Sequence, residues 1–175
     1  MIWESGYWKA PLLSTAKWLC AVRLSERTRE STYVRIEKEI FFGFYSIRKL
    51  LDTVKVSDAA KATMYKLTWS PNVKPVDYLN WHRLDKCYDL STEHTEARDI
   101  QYLCNQFIHS YVFIVAGEFR IDGIYVASDR VRNKKVYFVP LSHILHAFRL
   151  IGRDYPSTLV HETDPDTGER KGRAL

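Results

Sequence analysis

The sequence predicts an α+β single domain, a small bundle of about four helices with a short antiparallel β-meander inserted before the last helix. Three observations predict it. Segments near 12–28, 32–54 and 92–109 repeat apolar residues at helical spacing, three β-rich segments lie between 111 and 140, and an amphipathic stretch, 142–153, stops at the Gly152 to Pro156 punctuation. At 175 residues and 46% hydrophobic, the chain can bury a core without disulfides or a structural metal.

The first helix is read from Pro11 onward, proline being acceptable in a first turn, with Leu12, Leu13, Ala16, Leu19, Cys20 and Val22 on one side. Residues 1–10, with Trp3, Tyr7 and Trp8, form an aromatic arm before it. The second helix carries Ile36, Ile40, Phe44, Ile47 and Leu51 on one stripe, widened by Val34, Phe41 and Tyr45. MYKLTW then alternates like a short edge strand, and a proline-containing loop follows in which Tyr78, Leu79 and Trp81 are expected to tuck against the core.

Ser91 or Thr92 can cap the third helix, with Glu93 and Glu96 near its positive end. YVFIVA, GIYVAS and KKVYFVP make the meander. The globular domain is expected over 1–155, and the polar, turn-rich residues 156–175 are expected to be a flexible tail.

A net charge of +5 favours an anionic partner, and DRVRNKK at 129–135 makes Arg130, Arg132, Lys134 and Lys135 the candidate nucleic-acid contacts. Three cysteines without a CxxC pair fit a reduced, cytoplasmic protein. No signal peptide or membrane span is expected. Glycine-rich phosphate loops are absent, and no cofactor is expected.

The chemistry concentrates in CNQFIHSYVF, residues 104–113. On a wheel of 97–111, Ala97, Ile100, Leu103, Cys104, Phe107, Ile108 and Tyr111 share one side, and Arg98, Tyr102, Asn105 and His109 share the other. Asn105 and His109 stand one turn apart, whereas Arg98 would lie about 16 Å along the axis from His109 and reach such a histidine only across a two-fold dimer.

NQFIHSY resembles the Asn-x-x-x-His portion of the HEPN superfamily motif, found on a late helix of an α-helical bundle in toxins, phage-defence effectors and CRISPR-associated ribonucleases. The resemblance implies a metal-independent endoribonuclease site formed across a dimer. His109 matches the motif histidine and Asn105 the polar position after the arginine. The arginine position itself is Cys104, whose thiol has neither the charge nor the forked donors that hold a phosphate.

Three function readings stay open. The first is a HEPN-like bacterial or phage protein that works by binding a protein partner or a second copy, in a defence or toxin system. The second is an endoribonuclease using His109, Asn105 and Tyr102 with Arg98 in trans. The third is nucleic-acid binding, RNA included, without cleavage. His143 and His146 at i, i+3 are a weaker metal candidate, and His82, Asp85, Cys87 and Asp89 a weaker nucleophile cluster, Cys87 being by default structural.

Overall fold

The computed structural model describes residues 2–163, 165, 167, 168 and 170–175. Met1 of the expected arm, and Asp164, Asp166 and Glu169 of the expected tail, lie outside them. The chain starts with α1 (Gly6–Ala21), α2 (Glu30–Leu51) and a short α3 (Asp58–Lys61), followed by β1 (Met64–Pro71), a single turn α4 (Leu84–Cys87) and β2 (His94–Asp99). It continues through α5 (Ile100–Ile108), β3 (Ser110–Ala116), β4 (Gly123–Ser128), β5 (Lys135–Pro140), α6 (Leu141–Arg153), β6 (Leu159–Thr163) and β7 (Arg170–Ala174).

The first five strands form one antiparallel sheet in the order β2-β1-β5-β4-β3, which overturns the expected four-helix, HEPN-like bundle. What was missing from that expectation was strand pairing at a distance. MYKLTW is not an edge strand: β1 pairs on both sides, with β2 and with β5. The segment expected to open the third helix is instead the edge strand, His94–Asp99, and the helix begins only at Ile100. Asp99 starts it by accepting the Tyr102 N–H at 2.6 Å. The backbone of 94–99 finds its partners across the strand boundary in β1, which local helical spacing does not reveal.

Alternation assigns the two faces. Tyr65, Leu67 and Trp69 of β1, Ile124 and Val126 of β4 and Tyr137 and Val139 of β5 pack against the helices in the main core. Val112, Ala127 and Val136 point the other way, where Val76, Cys87 and Tyr88 from the 72–90 segment cover them in a smaller core. In the main core Phe44 of α2 stacks on Phe107 of α5 at 4.2 Å between centroids and meets Phe148 of α6 edge-on at 5.3 Å. All three rings are fully buried, so this cluster joins three helices over one sheet. Gly43 permits it: a Cβ there would stand 2.2 Å from the Phe148 ring.

The expected arm is largely helix, since α1 starts at Gly6 and carries Pro11 inside it. Lys9 explains how that start is held. Its buried ammonium donates to the Lys55 carbonyl at 2.6 Å and to the Asp154 carbonyl, pinning the first turns of α1 to the ends of α2 and α6. The helix stops at Val22, which is extended, rather than near residue 28. Val34 and Tyr45, expected to widen the apolar stripe of α2, are exposed, as are Tyr78, Leu79 and Trp81. Residues 156–175, read as a tail, include the β6–β7 hairpin, and Ala174 is buried.

Candidate functional site

Helix α5 is short, and both of its ends are tied to the sheet. At its C-terminal end the His109 N–H donates to the Asn105 carbonyl at 3.2 Å, and the His109 carbonyl accepts from the Asp129 N–H at 3.0 Å. Gln106, buried one turn back, accepts from the Ser128 N–H at 3.2 Å. These bonds strap the turn between β4 and β5 across the end of α5 and leave a cleft of about 370 Å3 between them.

Tyr102, Asn105, Gln106 and His109 line this cleft from the helix, and Ser128, Asp129, Arg130 and Val131 line it from the turn. Three of the residues singled out in sequence, Tyr102, Asn105 and His109, are thus brought together within one chain. Arg130 joins them. Among the described residues, the side chains of Asn105, His109 and Arg130 have no hydrogen-bond or ion-pair partner, and His109 and Arg130 are exposed.

Arg98 is placed differently from the expectation, because it leaves the helix for strand β2. Its guanidinium donates to both Glu96 carboxylate oxygens at 3.1 Å and lies 4.5 Å from the Tyr102 ring centroid. The spacing along a helix axis that would have called for a dimer therefore does not apply. Arg98 reaches the site through Tyr102 and is already bound to a carboxylate.

Glu96 is the residue that sequence reasoning placed wrongly, as a helix-terminus acid. Its carboxylate accepts from Arg98, from the Lys135 ammonium at 2.8 Å and from the Tyr137 hydroxyl. Burial alone would raise its carboxyl, but these bonds and the Lys135 charge outweigh burial and hold it at about 2. The Tyr102 and Tyr137 hydroxyls are 2.6 Å apart, which carries the network from Glu96 to the cleft wall. Burial, then the bonds to Glu96 and Tyr102, raise the Tyr137 hydroxyl and keep it protonated. The signal for this cluster was the alternation His94, Glu96, Arg98, which puts all three on one strand face.

The four basic candidates divide. Lys135 is half-buried, held by Glu96 and placed over Trp69 at 4.6 Å, while Trp69 stacks on His94 at 4.3 Å. Arg132 pairs with Asp129 at 3.2 Å and covers the Tyr111 ring at 3.6 Å. Only Arg130 and Lys134 of the four project as unpaired cations.

The other candidates resolve into structure. Cys104 is fully buried, and burial pushes its thiol up. Cys87 is also buried, its thiol raised by burial, with Sγ 3.6 Å from the Asn80 carbonyl. His146 Nδ1 is 3.0 Å from the Tyr65 hydroxyl, and no group of three or more metal-ligating side chains occurs among the described residues. No described helix is long and apolar enough to cross a membrane. No protein-family model, curated protein or solved structure matches the chain.

Proposed function

We propose that this chain binds nucleic acid without cleaving it, holding a backbone phosphate in the cleft between α5 and the β4–β5 turn. The carrying observation is that Asn105, His109 and Arg130 converge on one nucleotide-sized cleft with their side chains unengaged. Arg130 supplies a forked cation for a phosphate, Asn105 an amide with two donors and an acceptor, and Tyr102 an aromatic wall. Lys134 and the net charge of +5 add long-range attraction. Fluorescence anisotropy with labelled oligonucleotides tests this reading. Affinity should fall steeply with salt and drop in Arg130→Ala, and salt-independent affinity or no binding would defeat it.

A second reading, metal-independent cleavage of RNA, is favoured by the exposed and unengaged imidazole of His109 one turn from Asn105. The imidazole has a ring nitrogen that can take the 2′-hydroxyl proton, while Arg130 meets the charge that develops on the phosphate. Cutting of a mixed RNA pool in EDTA that is lost in His109→Ala would establish it. An intact pool would leave the binding reading.

A further inference from the structure

The hydrogen-bond chain behind the cleft has a forced direction. Glu96 is ionised and can only accept, so the Tyr137 hydroxyl donates its hydrogen bond to it. Tyr137 has a single proton, already given. The 2.6 Å contact between the two hydroxyls is therefore a bond from Tyr102 to the Tyr137 oxygen. Tyr102 has likewise only one proton, and it points away from any ligand. Tyr102 lines the cleft, and with its proton given to Tyr137 its hydroxyl can bond a ligand only as an acceptor.

Resting on the nucleic-acid reading above, we propose that the cleft selects RNA over DNA, with Tyr102 accepting a hydrogen bond from a ribose 2′-hydroxyl. A backbone phosphate held by Arg130 brings its own sugar alongside, and the 2′-hydroxyl is the one sugar group that RNA has and DNA lacks. It can donate to Tyr102. A deoxyribose offers no donor there and leaves the acceptor capacity of the Tyr102 oxygen unused. Glu96 and Tyr137 are positioning residues in this arrangement: they orient the Tyr102 proton and touch no ligand.

The test compares three fluorescent single-stranded 12-mers of one sequence, made as RNA, DNA and 2′-O-methyl RNA, by anisotropy at fixed salt. One hydrogen bond corresponds to about tenfold in affinity, so the wild type should bind RNA about tenfold tighter than DNA and than the 2′-O-methyl strand, which can accept but not donate. Tyr102→Phe keeps the aromatic wall and should close the gap between RNA and DNA measured on the same variant. Tyr137→Phe frees the Tyr102 proton to be donated to a ligand and should narrow the gap between RNA and its 2′-O-methyl form while binding persists, a change of ratio that lost folding would not produce. Equal binding of RNA and DNA by the wild type, or a tenfold RNA preference that survives in Tyr102→Phe, would overturn the 2′-hydroxyl proposal while leaving nucleic-acid binding in place. No binding of any strand would remove both.

Discussion

Replacing Glu96 by Gln keeps the shape of the side chain and removes its charge, which isolates what the carboxylate does for three donors at once. Arg98, Lys135 and Tyr137 all lean on it. Hydrogen bonds to a charged group contribute about 1.5 to 3 kcal/mol, against about 0.5 to 1.5 for neutral pairs. The Glu96 side chain is 23% exposed, so solvent screening trims the sum, and a loss of about 2 kcal/mol at pH 7 is expected. For a chain of this length that corresponds to a fall of about 4 to 8 °C in Tm.

The pH dependence makes the prediction sharper. The folded carboxyl titrates at about 2 against an ordinary value of 4.5, so its contribution is full above 4.5 and is lost as the pH falls toward 2. At pH 3 roughly two-fifths of it should remain. Urea unfolding of wild type and Glu96→Gln at pH 7, 5, 4 and 3 should show two curves that converge as the acid side is approached. A gap that stays constant with pH, or a variant as stable as wild type at pH 7, would refute the reasoning.

Three further outcomes follow from the geometry. Gly43→Ala places a methyl 2.2 Å from the Phe148 ring, which Phe44 already contacts, and should destabilise by about 1 to 3 kcal/mol in chemical denaturation. Lys9→Met keeps the buried stem and strips the donors from the Lys55 and Asp154 carbonyls; a loss of about 1 to 3 kcal/mol, with earlier hydrogen exchange at the α1 N-terminus, is expected. Arg130→Ala should reduce the slope of log affinity against log salt by about 1, whereas Arg132→Ala, whose guanidinium is spent on Asp129 and Tyr111, should lower stability more than that slope.

The segments legible in sequence were those whose structure follows from their own spacing. The Ile36, Ile40, Phe44, Ile47 stripe shows α2, the alternation of GIYVAS and KKVYFVP shows β4 and β5, and the amphipathic run after Pro140 shows α6. On the site, Tyr102, Asn105 and His109 could be grouped because they lie on one helix face at i, i+3 and i+7. Local periodicity determined that much by itself. What only the tertiary structure decided is where chain distant in sequence supplies the partners. Residues 94–99 become a strand because β1 offers them a ladder, which moves Arg98 off the helix and turns Glu96 into the hub of a network with Lys135 and Tyr137 about forty residues away. Arg130 becomes a wall of the cleft because the β4–β5 turn is strapped to the end of α5. A helix wheel holds no information about either contact, since both are set by hydrogen bonds that close only when the sheet is assembled.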